Sequence, residues 1–198
     1  MGVYFLVVAF SYLIGSIPFS YFIARACKGV DIRKTGSGNV GATNVWRTAG
    51  PAAGAAALAA DAAKGVAAVV LARSTGGPDL VALAAAAVLA GHSWPVFLGF
   101  RGGKMIATAA GAVLAISPKT LCAVLAVWLL VLAAGRYVSV SSVAAAVSLP
   151  VFMALFKLER PYIWLGVFAA VFAVIKHIPN IRRLAAGTEP KVGRRKQN

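Results

Sequence analysis

The chain alternates between long apolar runs and short segments that are rich in glycine, proline and basic residues. Because a helix needs about 20 mainly apolar residues to cross a bilayer, these runs predict an all-α integral membrane protein. Seven transmembrane helices are predicted, at residues 3–24, 51–72, 80–97, 105–116, 119–135, 139–156 and 161–175. Residues 1–187 would form one seven-helix domain, and residues 188–198 a basic cytoplasmic tail.

The boundary between the fourth and fifth helices is predicted at Ser117-Pro118, where both flanking helices are short. The alternative is one long helix over residues 105–135. Seven spans with the N-terminus outside and the C-terminus in the cytoplasm place most of the 20 Lys and Arg residues on the cytoplasmic side. Six spans would divide them evenly, so the positive-inside tendency favours seven.

Composition agrees with a membrane protein and excludes other classes. Hydrophobic residues make up 60% of the chain, the mean hydropathy is +0.82 and only 13% of residues are charged, unlike an ordinary soluble domain. We expect the first apolar run to be a transmembrane helix and not a secretory signal, because no Lys or Arg precedes it. The net charge of +15 could suggest nucleic acid, but the basic residues cluster between apolar runs instead of forming a groove-binding surface.

The two cysteines, Cys27 and Cys122, lie far apart without the spacing of a disulfide framework or a zinc site. We expect no metal, no cofactor, no nucleic acid and no obligate protein partner.

The run GSGNVGATN, residues 36–44, is the strongest candidate for a binding site. Its glycines allow backbone N–H groups to approach a ligand closely, and basic residues flank it, as suits an anion. The alternative is a short polar linker of the same composition.

Four polar segments are predicted on the cytoplasmic face: residues 36–44 with Arg47, residues 91–104, residues 136–142 and residues 176–184. Each alone also fits an interfacial loop with basic anchors. Together they carry His, Asn, Ser, Lys and Arg side chains, and they can form one site for an anionic ligand.

One acidic and one basic residue are predicted inside the second helix. Asp61 and Lys64 lie three residues apart on one helix face. Because each charge near the centre of a membrane helix costs about 2.5–3.5 kcal/mol, we expect them to form a structural ion pair. His92 fits either a substrate ligand or a side chain that hydrogen-bonds a helix end.

Three strings, DIRKTGSGNVGATNVWRTAG, GHSWPVFLGFRGGK and KHIPN-I-x-RL-x-x-G-x-E, occur in this order and together cover nearly the whole chain. They resemble the bacterial membrane glycerol-3-phosphate acyltransferases that use acyl phosphate, the PlsY family. One position departs from the family: Met105 follows Lys104 where the family usually has glycine.

The resemblance implies transfer of a fatty acyl group from long-chain acyl phosphate to the 1-hydroxyl of sn-glycerol 3-phosphate, which gives lysophosphatidic acid and inorganic phosphate. It also implies a multi-pass protein of the bacterial inner membrane, in contact with membrane lipid, with its active site facing the cytoplasm. Both substrates carry phosphate, which basic side chains and backbone N–H groups neutralise.

We hypothesise roles for the motif residues. The residues expected to take part in catalysis are Ser37, Lys104, His177 and Asn180. Those expected to bind substrate are Gly36, Gly38, Asn39, Gly41, Thr43, Asn44, Arg47, His92, Gly102, Gly103 and Ser142. Residues 36–43 would hold the acyl phosphate, and the basic and polar side chains the glycerol phosphate. His177 is the candidate base, and a phosphate oxygen of the substrate is the alternative.

Two other classes of protein fit the sequence less well. An acyltransferase of the acyl-CoA type would carry H-x-x-x-x-D, which neither histidine does. A transporter for an organic phosphate or a lysolipid anion would place its basic site near the bilayer midplane between repeated halves, and no repeat is evident.

Overall fold

The computed structural model describes residues 2–193, and every regular element in that range is a helix. The prediction of an all-α protein is therefore confirmed. The helices are α1 (Gly2–Ser16), α2 (Phe19–Lys28), α3 (Ala42–Ala49), α4 (Pro51–Arg73), α5 (Pro78–Ser93), α6 (Ile106–Ile116), α7 (Pro118–Gly135), α8 (Val138–Leu155) and α9 (Arg160–Ala185), with a 3₁₀ turn at Val96–Leu98.

Six segments in residues 2–193 are long and apolar enough to cross a membrane. They are Gly2–Lys28, Pro51–Arg73, Pro78–Leu98, Pro118–Gly135, Val138–Leu155 and Arg160–Ala185. Helix α6 has 11 residues, a length of about 16 Å against a hydrocarbon core of about 30 Å. Seven spans and their orientation therefore stay predictions.

The first span is broken where a single helix was expected. Pro18 has no N–H to donate, and the N–H of Phe19 turns to the carbonyl of Ile17 at 3.1 Å. The break between α1 and α2 releases backbone carbonyls inside the protein. The predicted division near Pro118 is confirmed, since α6 ends at Ile116 and α7 begins at Pro118.

The chain forms two compact units, residues 1–118 and 119–198. In the first, glycines let helix backbones meet. A methyl group at Gly65 of α4 would lie 2.6 Å from the backbone N of Ala112 in α6, and one at Gly91 of α5 would lie 2.9 Å from the backbone N of Ser16 in α1. Small residues are the usual means of close helix packing in membranes.

A small apolar core in the first unit holds the segment that connects α2 to α4. Ile32, Val40 and Val45 are buried in it, together with alanines of α2, α3 and α4. Because both ends of the glycine-rich run are anchored in this way, the run between them is held at the end of α2 and the start of α4.

The second unit contains α7, from residue 119, with α8 and α9. Helix α9 packs on α8 at Gly166, where a methyl group would lie 3.0 Å from the Met153 sulfur. Buried Ser139, Ser141 and Ser142 lie in the first turns of α8, and buried His177 and Asn180 lie toward the end of α9.

Candidate active site

The glycine-rich loop is built around the side chain of Asn44, which is 1% exposed. The two N–H groups of the Asn44 amide are shared among the carbonyls of Ile32, Thr35 and Asn39, whose oxygens lie 2.9, 3.1 and 3.0 Å from Nδ2. Its Oδ1 accepts from the backbone N–H of Ser37 at 3.0 Å. These contacts commit the Asn44 side chain to the loop, and its direct contact with substrate stays a prediction.

Two glycines of the loop adopt the left-handed conformation that glycine favours, with φ of +62° at Gly36 and +70° at Gly38. A methyl group at Gly36 would also collide with the Asn44 side chain. The side chains of Ser37, Thr43 and Arg47 are exposed. Helix α3 begins at Ala42, directly after the loop, and a helix N-terminus directs backbone N–H groups toward an anion.

One basic residue beside the loop is already paired. Arg33 donates to both carboxylate oxygens of Asp31, at 2.7 Å from Nη2 and 3.0 Å from Nε, and its guanidinium lies 4.9 Å from the centre of the Tyr21 ring. The hydrogen bond from Arg33 lowers the pKa of Asp31 to about 2. The charge of Arg33 is therefore neutralised by Asp31. Arg47 has no acidic partner of this kind within the described residues.

The second motif closes into a loop between α5 and α6. The N–H of Gly103 donates to the carbonyl of His92 at 3.0 Å, and the N–H of Gly102 to that of Ser93 at 3.3 Å. A methyl group at Gly103 would collide with His92 Nε2 and with the carbonyl of Val40. The glycine pair thus brings Lys104, which is half-buried, next to the glycine-rich loop.

Close approach at Gly102 and Gly103 is to protein atoms. These include the Pro95 ring, 2.5 Å from a methyl group placed on Gly102. Contact of the two glycines with substrate stays a prediction.

A buried polar cluster lies behind these loops. The predicted ion pair between Asp61 and Lys64 is confirmed, with Nζ 2.9 Å from Oδ1 and both side chains at most 3% exposed. Lys64 also donates to the carbonyls of Gly15 and Ile17, at 3.1 and 3.0 Å. Its third hydrogen bond is to His92 Nδ1 at 3.1 Å, so His92 contributes to this cluster as well as to the second motif.

In the second unit, Glu189 is the centre of a hydrogen-bonded group. Its Oε1 accepts from Ser139 Oγ at 2.6 Å and from Asn180 Nδ2 at 2.7 Å, and its Oε2 accepts from Arg183 Nε at 2.8 Å. Burial raises the pKa of Glu189, but these three hydrogen bonds outweigh it and leave the pKa below its usual value. Glu189 thereby fixes the orientation of the Asn180 amide.

Glu189 was not among the predicted site residues, although it is the last letter of the third motif string and contacts Asn180. The signal was present in the sequence: it is an acidic residue among many basic ones. Glu189 lies within the expected tail of residues 188–198 and is buried. Residues 194–198 of that tail lie outside the described residues.

His177 is buried, and its Nδ1 lies 2.7 Å from the carbonyl oxygen of Ala173. Because a carbonyl only accepts, Nδ1 carries the proton and the lone pair of the neutral ring lies on Nε2. Ser142 is also buried, and its Oγ accepts from Trp128 Nε1 at 3.3 Å. The structure thus groups Gly36 to Lys104 in the first unit, and Ser142, His177 and Asn180 in the second.

Comparison with known proteins agrees with the motifs. Residues 5–187 match the profile of the family described as glycerol-3-phosphate acyltransferase. A glycerol-3-phosphate acyltransferase of Desulforamulus reducens is 53% identical over 187 residues, 94% of either chain. Another, of Desulforudis audaxviator, is 51% identical over 191 residues, 96% of either chain.

Two solved structures are similar to this chain over 96% of each chain at 37% identity, with TM-scores of 0.92 and 0.90. They are crystal structures of PlsY (YgiH), described as an integral membrane glycerol 3-phosphate acyltransferase, in the glycerol 3-phosphate and the lysophosphatidic acid forms. The match covers almost the whole chain in sequence and in fold, so this protein belongs to the glycerol-3-phosphate acyltransferase family, the PlsY family of integral membrane enzymes.

Proposed function

We propose that this enzyme transfers a long-chain acyl group from acyl phosphate to the 1-hydroxyl of sn-glycerol 3-phosphate. The products are 1-acyl-sn-glycerol 3-phosphate and inorganic phosphate. The observation that carries the proposal is the glycine-rich loop, which Asn44 organises at the start of α3 in a chain of this family, and whose composition suits an anion. A structural relative bound to glycerol 3-phosphate, and another form bound to lysophosphatidic acid, support the acceptor and the product.

Acyl phosphate is a mixed anhydride with a good leaving group, so the enzyme does not need a covalent nucleophile to transfer its acyl group. The hydroxyl oxygen of glycerol 3-phosphate attacks the acyl carbon, the bond from that carbon to the phosphate oxygen breaks, and the hydroxyl proton passes to a base. Such a reaction requires alignment of the hydroxyl and donors for the oxyanion, with no covalent enzyme intermediate. The N–H groups of Ser37, Gly38 and Gly41 already donate within the loop, so the Ser37 hydroxyl and the other backbone N–H groups of residues 36–43 would supply those donors.

The remaining roles fall to charged and polar side chains. Arg47 and Lys104 would hold phosphate, as would Ser142, and Asn180 would position the acceptor. His177 is suited to take the hydroxyl proton, since its Nε2 carries the lone pair. A phosphate oxygen of the substrate is the other candidate base. The protein would lie in the bacterial inner membrane with these residues facing the cytoplasm.

The first test is phosphate release by the purified protein given palmitoyl phosphate, with and without sn-glycerol 3-phosphate. Phosphate release that depends on glycerol 3-phosphate is expected. In a parallel assay of ester formation, palmitoyl-CoA should not replace palmitoyl phosphate as the acyl donor. Lys104→Ala should abolish most of it, whereas Lys28→Ala, at the exposed end of α2, should not. Uptake of glycerol 3-phosphate into vesicles without phosphate release would instead indicate a transporter.

A further inference from the structure

The ammonium group of Lys64 has a complete and unusual set of partners. Its Nζ lies within 3.1 Å of four acceptors: the carbonyls of Gly15 and Ile17, His92 Nδ1 and Asp61 Oδ1. Asp61 supplies the opposite charge, and its second oxygen, Oδ2, accepts from Ser20 Oγ at 2.7 Å. Because the carbonyls come from the break between α1 and α2, one buried side chain of α4 joins that break to the end of α5.

The contact with Lys64 also decides where the proton of His92 lies. A lysine ammonium only donates, so Nδ1 of His92 accepts, and the proton of the neutral ring lies on Nε2. Nε2 is the atom that a methyl group on Gly103 would strike, and the His92 carbonyl accepts the N–H of Gly103. The orientation of the His92 ring and the path of the second motif are therefore set together.

A cavity of about 10 Å³ lies beside this cluster, about the space that one water molecule requires. Lys64, Asp61, His92 and Ser20 line it on one side, and Val40 and Gly102 belong to its lining as well. Residues of the glycine-rich loop, of the second motif and of the ion pair thus line the same cavity. A rearrangement of Lys64 would change both the lining of this cavity and the position of the His92 ring, which packs on Gly103.

We propose that Lys64, neutralised by Asp61, is a positioning residue for acyl transfer: it holds His92 in the tautomer with the proton on Nε2, and His92 in turn fixes the segment Gly102-Gly103-Lys104. This inference rests on the proposed function, in which Lys104 binds phosphate of glycerol 3-phosphate. The glycine-rich loop is organised separately by Asn44. Loss of Lys64 should therefore affect the acceptor more than the acyl donor.

The kinetic test compares the wild type with Lys64→Met. The KM for glycerol 3-phosphate should rise about tenfold or more, since small misplacements of a binding group are costly, and the KM for acyl phosphate should change much less. Arg73→Met, at the exposed last turn of the same helix, should match the wild type. Removing one member of a buried ion pair is strongly destabilising. The double variant Asp61→Leu/Lys64→Met therefore tests the same difference between the two KM values without leaving a buried unpaired charge.

A spectroscopic test separates positioning from mere support of the fold. The chain has two histidines, and the contacts of His92 Nδ1 with Lys64 and of His177 Nδ1 with Ala173 place their protons on opposite nitrogens. Ring ¹⁵N spectra of tag-free protein should show one histidine protonated at Nε2 and one at Nδ1, with His177→Gln assigning them. In Lys64→Met, His92 Nδ1 would face Asp61 Oδ1, 3.6 Å away, and should gain a proton, while the His177 signals stay unchanged.

Several results would overturn the proposal. A wild-type His92 protonated at Nδ1 refutes it without any variant. An unchanged KM for glycerol 3-phosphate in either Lys64 variant, with the protein folded, refutes it as well. Failure of the proposed function is distinguishable, because the wild type would then form no ester from acyl phosphate while the two tautomers could still be read from the spectra.

Discussion

The backbone N–H of Ser37 donates to the Oδ1 of Asn44 at 3.0 Å, across seven residues of chain. The same amide closes the loop by sharing its two N–H groups among three carbonyls, so one side chain takes the place of a regular ladder of backbone hydrogen bonds. Because Asn44 is buried in the first turn of α3, the loop and the helix behind it are one rigid piece. The hydroxyl of Ser37 is left on the exposed side.

Asn44→Ala should remove the hydrogen bonds that hold the glycine-rich loop to helix α3. The carbonyl of Ile32 and the N–H of Ser37 lose this partner, at about 1–3 kcal/mol for each buried group left unsatisfied. The carbonyls of Thr35 and Asn39 keep their hydrogen bonds from the N–H groups of Gly38 and Gly41. The expected result is a lower melting temperature and a higher KM for acyl phosphate. Thr48→Val, which removes only the hydrogen bond from Thr48 Oγ1 to the Asn44 carbonyl, should stay close to the wild type. Equal effects of the two substitutions would argue against a special role for the Asn44 amide.

Two glycines allow backbone strain to be separated from collision. Gly29 and Gly36 have nearly equal φ, +66° and +62°, but only a methyl group on Gly36 would meet another residue within 4 Å. Alanine in this conformation costs roughly 1–2 kcal/mol, so both variants should lose about that much stability. Gly36→Ala should in addition lose most acyl transfer, because it displaces the Asn44 side chain. Kinetics that are alike in the two variants would show that strain alone matters.

The helices could be predicted from the sequence because apolar runs and turn residues are local signals. The break at Pro18 was harder to see, since apolar residues continue on both sides of it and the prediction of one helix over residues 3–24 rested on hydropathy alone. The ion pair between Asp61 and Lys64 was predictable from spacing and the cost of buried charge. Its link to His92 was not, because that contact joins positions 28 residues apart.

The glycine-rich loop was recognisable as a candidate anion site from its composition. The sequence could not tell which of its polar residues faces outward, and Asn44 was expected to bind substrate alongside Ser37 and Thr43. The structure separates them, since Asn44 is buried and the other two are exposed. Glu189 was missed for a similar reason: its partners Ser139 and Asn180 are distant in sequence, and only folding brings them together.

Met105, where the family usually has glycine, adopts the left-handed conformation with φ of +57° and is 1% exposed. This backbone explains the usual glycine, since a side chain there is strained. We expect Met105→Gly to be more stable than Met105→Ala by about 1 kcal/mol, because both lose the buried side chain but only glycine relieves the strain. Thermal unfolding measures the difference.

The control for the two Met105 variants is the same pair of substitutions at the neighbouring position, Ile106. At Ile106, within α6, alanine should be more stable than glycine by roughly 1 kcal/mol, the ordinary order in a helix. The same order at residue 105 would contradict the assignment of backbone strain to that position.

Glu189 should make the stability of the protein depend on acid pH. Its pKa is lowered in the folded protein from a usual value of about 4.5, so its contribution is complete above that value and is lost as the pH falls through the lower folded pKa. Glu189→Gln should destabilise by about 1–3 kcal/mol at pH 7. The gap between the melting temperatures of variant and wild type should narrow below about pH 4.5. Glu159→Gln, at an exposed position, should show a much smaller gap at every pH.

Val192 is hydrogen-bonded to Arg136, two residues before the start of α8. The N–H of Val192 donates to the carbonyl of Arg136 at 2.8 Å, and Arg136 Nε and Nη2 donate to the carbonyl of Val192 at 3.1 and 2.7 Å. Removal of residues 193–198 retains all three hydrogen bonds and should leave melting temperature and turnover unchanged. Removal of residues 191–198 breaks them and should cost about 1 kcal/mol, since the contacts are exposed.

Arg136→Lys supplies the matched point variant, because lysine keeps the charge but cannot donate from two positions of a planar fork. It should lose part of what the longer truncation loses, and the two changes combined should cost no more than the truncation alone. Additive losses would mean that Arg136 and Val192 stabilise the second unit independently.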